Sequence, residues 1–142
     1  MTVPWVDGTT PITAANMNLL VQGDGTTCLM AVAFRIYYNG AAWVVHTSTG
    51  SFGSEAEVSL AWSGVSYRLE ITLSALTRTF AYKPACIVSP TADDATPCYI
   101  PAALPSTKDL IYVQFYDMHT SALITTEDAQ MDFQIIMLGV KT

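Results

Sequence analysis

The chain has 142 residues and a formal net charge of −6, with 51% hydrophobic residues and only 13% charged residues. Soluble domains average about 25% charged residues, and the apolar content excludes intrinsic disorder. Six Lys and Arg residues are too few for a basic nucleic-acid-binding face, and no stretch of about 18 residues is apolar enough to span a membrane. The mean hydropathy of +0.33 therefore predicts an obligate oligomer that buries apolar surface against a partner.

The first 25 residues predict a docking arm that ends in one short helix. Thr13 is a suitable N-cap for this helix. Met17, Leu20 and Val21 follow at i, i+3 and i+4, which places them on one apolar stripe about two turns long. A helix this short is marginal by itself, so we expect it to dock on its own domain or on a neighbouring one.

The N-terminus shows neither the basic region nor the apolar region of a signal peptide, so we expect the chain to be made in a cytoplasm. The three cysteines, Cys28, Cys86 and Cys98, lack the close spacing of a disulfide framework or a redox motif. Cys86 and Cys98 are candidates for cross-strand neighbours, and their pairing is left open. Buried free thiols are the simpler interpretation.

The first two strands are predicted on either side of a turn. One face of the segment from Leu29 to Tyr38 is apolar and consists of Met30, Val32, Phe34, Ile36 and Tyr38. Asn39-Gly40 follows, and it predicts a hairpin into a strand over Ala41–His46, because both turn positions favour residues that tolerate positive φ.

The middle of the chain predicts several short strands. Glu57–Trp62 is the first of these. The cleanest alternation runs from Val65 to Ser74, and its apolar side consists of Val65, Tyr67, Leu69, Ile71 and Leu73. Thr77–Tyr82 and Ala85–Val88 are two further candidates. Pro90–Pro105 contains four prolines and predicts a long loop with at most a short edge strand over Cys98–Ile100.

The last two predicted strands are Lys108–Met118 and Met131–Val140. The inward face of the first consists of Ile111, Val113 and Phe115. The second has Met131, Phe133, Ile135 and Met137 on one face, while Ile136 and Leu138 make its other face apolar as well. A strand that is apolar on both faces is expected at the centre of a sheet or at an interface.

About eight strands, with turn signals every 8 to 12 residues and a single helix, predict an all-β fold. We expect an antiparallel β-sandwich or jelly roll. The predicted division is an N-terminal docking arm with its short helix over residues 1–25 and a β-sandwich domain over residues 26–142.

Signals for chemistry are weak. His46 and His119 are the two histidines, and the chain has no GxSxG, no phosphate-binding loop and no cysteine or histidine spacing typical of zinc sites. We therefore expect no enzymatic activity, no cofactor and no metal. A glycan hydrolase that uses an acidic pair such as Glu55 and Glu57 is an alternative, and a secreted lectin-like module is another.

Aromatic side chains offer two interpretations. Tyr112 and Tyr116 lie on the outward parity of their predicted strand, and Tyr37 is the next candidate for a platform on which a sugar ring stacks. Tyr and Trp are also enriched at subunit interfaces, which is the interpretation we favour.

The segment Trp5–Leu20, with the sequence WVDGTTPITAANMNLL, resembles a lead common in appendage proteins of tailed bacteriophages. In those tail-fibre, baseplate and head-fibre proteins, a Trp and a Gly- or Pro-containing turn precede a Thr/Asn-Ala-Xaa-Asn-Met/Leu-Asn stretch and an apolar helix. The resemblance implies a homotrimer with an N-terminal docking element, located in the virion. Leu20-Val21-Gln22 replaces the usual acidic residue, and the short chain favours a small decoration or adaptor protein over a complete fibre.

These observations together predict a non-enzymatic structural protein of a phage virion, either a homotrimeric capsid decoration or a small tail or fibre component. The expected partners are other copies of the chain and capsid or tail proteins, with no nucleic acid and no membrane. The alternative is a carbohydrate- or receptor-binding head of a phage adhesin, with a host surface glycan as partner. The residues expected to make anchoring or interface contacts are Val3, Trp5, Ile12, Met17, Leu20, Val21, Ile136 and Leu138.

Overall fold

The computed structural model describes residues 29–46, 57–73, 79–91 and 99–141, and eight β-strands lie within these ranges. In chain order the strands are β1 (Leu29–Tyr38), β2 (Trp43–Val45), β3 (Ser59–Ser63), β4 (Arg68–Thr72), β5 (Ala85–Pro90), β6 (Tyr99–Pro105), β7 (Leu110–Asp117) and β8 (Asp132–Val140). The predicted docking arm and helix lie outside the described residues, as do Cys28 and Cys98.

The strands form two four-stranded antiparallel sheets. Sheet A has the order β2-β1-β8-β5, and sheet B has the order β3-β4-β7-β6. The inner faces of the two sheets share one hydrophobic core. The antiparallel β-sandwich predicted from the sequence is therefore confirmed, and no α-helix occurs in the part of the chain that the structure describes.

The core consists of the alternate, inward-facing residues of the central strands. The predicted inward residues of β7 and β8 are all buried, and so are those of β1 except the half-buried Tyr38. Full burial of an aliphatic or Phe side chain stabilises a fold by about 1.5–3 kcal/mol. The largest fully buried side chains are Phe34, Ile36, Leu69, Ile71, Leu73, Phe80, Ile111, Phe115, Met131, Phe133, Ile135 and Met137.

The hairpin between β1 and β2 is confirmed, but its turn differs from the prediction. The loop contains the four residues from Asn39 to Ala42, and within it only Gly40 has a positive φ, of 90°. The Asn39 side-chain oxygen accepts hydrogen bonds from the backbone N–H groups of Ala41 (2.9 Å) and Ala42 (2.8 Å). Asn39 thus stabilises the turn through its side chain and not through a left-handed backbone.

The strand predicted to begin at Val65 begins instead at Arg68. Ser63 of β3 pairs with Arg68 of β4, so the four residues between them are needed to reverse the chain. Tyr67 has a φ of 50°, and the Val65 side chain is 91% exposed. The strand prediction is therefore wrong for residues 65–67, although apolar and polar side chains alternate there.

The proline-rich segment forms a longer strand than predicted. The seven residues of β6 pair with β7 on one side only, in a segment expected to be mostly loop. Pro101 and Pro105 lie within this strand. Proline is tolerated there because an edge strand does not need every N–H for pairing. Pro90 similarly ends β5, one of the two edge strands of sheet A.

Gly139 permits a close approach near the end of β8. A Cβ atom at this position would lie 2.7 Å from Cδ1 of Phe80, whose ring is almost completely buried. Phe80 also forms a β-bridge with Lys141. The absence of a side chain at Gly139 therefore allows the segment around Phe80 to pack against the inner side of β8.

Candidate functional site

The outer face of sheet A carries an exposed apolar surface, which we call the apolar face. It is formed by alternate residues of β1, β8 and β5 that point away from the core. The exposed fractions are 79% for Leu29, 56% for Ile87, 39% for Ile136 and 42% for Leu138. The residues of the apolar face are Leu29, Ala31, Ala33, Ala85, Ile87, Ile136 and Leu138.

The strand register makes this surface continuous. Ile136 of β8 lies between Ala33 of β1 and Ile87 of β5, and Leu138 has an alanine on each side. With rows two residues apart, the apolar face measures about 13 Å along the strands and about 10 Å across them. Alanines flank Leu138 on both sides, and Ile136 has an alanine on one side and Ile87 on the other. The resulting shallow apolar surface suits packing against another apolar element.

A polar cluster ends the apolar face. Arg35 of β1 forms a two-pronged ion pair with Asp132 of β8, with Nε–Oδ1 and Nη2–Oδ2 distances of 3.1 Å and 2.6 Å. The Thr91 hydroxyl donates a further hydrogen bond to Asp132. Burial alone would raise the pKa of Asp132, but the hydrogen bonds from Arg35 and Thr91 and the Arg35 charge outweigh it and lower that pKa below its usual value.

Tyr37 belongs to this polar end of sheet A. It lies opposite Asp132 in the register, and its ring centroid is 5.6 Å from that of His46 at an angle of 52°. Tyr112 and Tyr116 lie on β7 of sheet B and point outward from the opposite side of the molecule. The structure therefore does not bring the three candidate glycan-stacking tyrosines together.

The outer face of sheet B is occupied by polar and aromatic contacts. The Arg68 guanidinium lies 3.4 Å from the centroid of the Tyr112 ring, so one face of this ring is already covered. Arg68 also forms an ion pair with Glu70 at 2.9 Å. The Tyr116 hydroxyl donates to Gln114 Oε1 at 3.3 Å. Of the two outward tyrosines on β7, Tyr116 is consequently the better candidate for stacking on a sugar.

Two tryptophans form part of the interior and not of an outer surface. The rings of Trp43 and Trp62 stack with centroids 6.1 Å apart and planes 16° apart, and Trp43 also contacts Phe115 and Phe133. The Trp43 Nε1–H donates a 2.6 Å hydrogen bond to Glu127 Oε1. This arrangement satisfies the indole N–H while the ring packs against the core.

The remaining reactive and metal-ligating side chains of the described residues do not form a site. Cys86 is a half-buried free thiol, and burial raises its pKa to about 11, which makes it a poor nucleophile. Across residues 29–46, 57–73, 79–91 and 99–141, no three His, Cys, Asp or Glu side chains are placed to hold a metal ion. In the same ranges, no helix has the length and apolar character needed to cross a membrane.

Comparison with family models, with curated proteins and with solved structures found no match to this chain. The functional interpretation therefore depends on the sequence and on the geometry of the described residues.

The predicted interface residues fall into two groups. Ile136 and Leu138 lie on the apolar face, half-exposed on a central strand, whereas the six N-terminal residues from Val3 to Val21 lie outside the described residues. Sequence reasoning missed Leu29 and Ile87 as members of this face. The signal was present on β1, where Ala31 and Ala33 occupy positions that a solvated face fills with polar residues.

Proposed function

We propose that the chain is a non-enzymatic structural subunit of a bacteriophage virion. In this proposal it is a homotrimeric capsid decoration or a small tail or fibre component, anchored to the particle by its N-terminal segment. The apolar face is a contact between subunits, and the anchoring segment holds the trimer on capsid or tail proteins.

The observation that carries this proposal is the apolar face itself. A sheet that faces water on one side normally alternates apolar inward and polar outward residues, and β1, β5 and β8 depart from this rule in adjacent positions. Exposed apolar surface of this kind marks interaction sites. The phage assignment is supported by the resemblance of the Trp5–Leu20 segment to appendage proteins of tailed phages.

Two finer structural predictions belong to this proposal. The jelly-roll form of the sandwich stays a prediction, because residues 47–56, 74–78 and 92–98, which join strands of different sheets, lie outside the described residues. The N-terminal helix and the boundary near residue 25 likewise stay predictions.

The native mass of the full chain in solution tests the oligomer directly. We expect multi-angle light scattering to give about three times the chain mass of 15.4 kDa. Ile136→Glu places a charge in the middle of the apolar face. It should convert the trimer to a monomer, because an unpaired charge is strongly disfavoured in an apolar contact. A monomeric unmodified chain would contradict the proposed trimer.

Leu104→Glu is the matched control. Leu104 is an exposed apolar residue on the outer face of sheet B, so a charge there should leave the native mass unchanged. Incorporation of the tagged full chain into phage particles, followed by imaging, tests the virion assignment and distinguishes capsid from tail attachment.

The second candidate function is a carbohydrate- or receptor-binding head. The outward position of Tyr116 beside Gln114 supports it, since a ring with a polar neighbour is suited to stacking and hydrogen bonding with a sugar. Glycan-array binding that is lost in Tyr116→Ala and retained in Tyr37→Ala would favour this function. An array without any signal for the unmodified chain would count against it.

A further inference from the structure

The proposed trimer requires a surface of the neighbouring subunit that covers the apolar face. We propose that the N-terminal segment of one copy, through the stripe of Met17, Leu20 and Val21, packs on the apolar face of the next copy around the trimer. This inference rests on the proposed trimer and names the occupant of its contact surface.

Symmetry restricts what covers the apolar face. Contact of this face with the same face of a second copy is a two-fold arrangement, and it produces a dimer. A closed trimer requires a head-to-tail contact between two different surfaces. In a trimer, the apolar face either turns toward the three-fold axis, where it meets the same face of both neighbours, or meets a different part of one neighbour. The position of the N-terminal segment favours the second arrangement.

Sheet B offers an unsuitable partner surface. Its outer face carries the Arg68–Glu70 ion pair on the central strand β4, and Arg68 also covers Tyr112. Burying that ion pair against an apolar surface would remove its water without supplying new partners, which is unfavourable. The part of this outer face around β4 is thus expected to stay in contact with solvent, whereas the exposed apolar residues Ile100 and Leu104 lie apart from it on the edge strand β6.

The position and length of the N-terminal segment are compatible with its covering the apolar face. The described chain begins at Leu29, a residue of the apolar face itself, so the 28 preceding residues enter the fold beside this surface. From Gln22 to Leu29 the chain spans up to about 23 Å when extended, which exceeds both dimensions of the apolar face.

The segment also fits in size and chemistry. A predicted helix of about two turns is about 11 Å long, and a helix with its side chains is about 10 Å wide. These dimensions match the apolar face, which measures about 13 Å by 10 Å. Ala31 and Ala85 beside Leu138, and Ala33 beside Ile136, leave room for the side chains of an approaching helix.

Cysteine cross-linking between two differently substituted full chains tests the contact. In a background with Cys28→Ser, Cys86→Ala and Cys98→Ser, one chain carries Leu20→Cys and the other carries Ala31→Cys on the apolar face. We expect a disulfide between the two chains, at a yield at least tenfold above that of a pair in which Ala61→Cys replaces Ala31→Cys. Ala61 is likewise an exposed alanine, and it lies on the outer face of sheet B.

A second measurement avoids any dependence on the cysteine-free background. Leu20→Glu in the otherwise natural chain should convert the trimer to a monomer by light scattering. Ala15→Glu is the control, because residue 15 lies on the opposite side of the predicted helix from the stripe.

The outcomes separate the two proposals. A trimer that shows no Leu20–Ala31 cross-link above the control and that keeps its mass in Leu20→Glu overturns the exchanged segment while the proposed trimer stands. A cross-link formed only within single chains carrying both substitutions overturns the exchange between copies. A dimer of the unmodified chain indicates contact between two identical apolar faces and overturns both proposals.

Discussion

The two outer faces of the sandwich differ in the side chains that they expose. Sheet B places charged and polar groups outward on its central strands, including Arg68, Glu70 and Gln114. Sheet A places Ile136 and Leu138 outward on its central strand β8, and alanines beside them on β1. Both inner faces are equally apolar, so the difference between the sheets concerns only what lies outside the sandwich.

This contrast indicates where a partner belongs. A central strand with apolar side chains on both faces is expected where another layer covers the sheet. In the proposed assembly, sheet A is therefore the layer that a partner covers, whereas the central strands of sheet B face solvent. The polar cluster of Arg35 and Asp132 marks the end of the surface to be covered.

The largest expected effect on the free energy of unfolding comes from substituting one of two neighbouring isoleucines on β8. Comparing the two substitutions tests the difference between the inner and outer faces of sheet A. Ile135→Ala should lower the free energy of unfolding by about 2–5 kcal/mol, because it leaves a cavity in the core. Ile136→Ala should have a smaller effect that grows with protein concentration, since in the proposed trimer the contact it weakens lies between subunits. Urea denaturation at two protein concentrations about a hundredfold apart measures both effects.

Leu104→Ala on the outer face of sheet B is the control for these measurements, and its effect should be small at both concentrations. An effect of Ile136→Ala that does not depend on concentration would show that the apolar face takes no part in association.

A substitution of Asp132, at the polar end of sheet A, should have an intermediate effect on the free energy of unfolding, and this effect should depend on pH. The pKa of Asp132 lies below the ordinary value of about 3.9, so its charged form is the one that folding favours. Its contribution is therefore complete above that value and is lost as the pH falls through the folded-state pKa. Asp132→Asn should lower the free energy of unfolding by about 1 kcal/mol at pH 7.

The difference between the Asp132→Asn variant and the unmodified chain should vanish in acid, as followed by urea denaturation between pH 7 and pH 2. Asp109→Asn is the matched control, because Asp109 forms only a long, exposed ion pair with Lys108, at 3.9 Å. A difference of the same size at every pH would mean that the Asp132 carboxylate charge contributes nothing.

The smallest expected effect concerns sheet B. A double-mutant cycle of Arg68→Lys and Tyr112→Leu should give a coupling free energy of about 0.5–1 kcal/mol, because lysine lacks the flat guanidinium that lies on the ring. Thermal or urea denaturation of the four variants measures it. A coupling of zero would mean that Arg68 leaves the Tyr112 ring accessible, and Tyr112 would regain its place as a glycan-stacking candidate.

Strand interiors were predictable from the sequence because their side chains alternate with a period of two. The buried sets on β7 and β8 follow directly from that alternation. The start of β4 was not predictable in this way, because Val65 and Tyr67 continue the apolar period into a turn. The length of β6 depended on its being an edge strand, and a sequence does not show where a strand lies in a sheet.

The candidate site was predictable only in part. Ile136 and Leu138 were recognised because both faces of their own strand are apolar. Arg35 and Asp132 are 97 residues apart, and their pairing requires the register of β1 on β8. Coverage of Tyr112 by Arg68 similarly depends on side-chain placement across β4 and β7, which local patterns do not encode.

The two-sided apolar character of β8 has a consequence for folding fidelity. When one face of a strand is polar, a slip of one residue is penalised because every polar side chain then enters the core. A slip of β8 would exchange Ile135 with Ile136 and Met137 with Leu138 at little hydrophobic cost, so its main penalty is the replacement of the buried Phe133 by a polar neighbour, Gln134 or Asp132. Correct alignment must therefore be selected at the two ends of the strand, where Asp132 meets Arg35 and where Gly139 alone leaves room for the Phe80 ring.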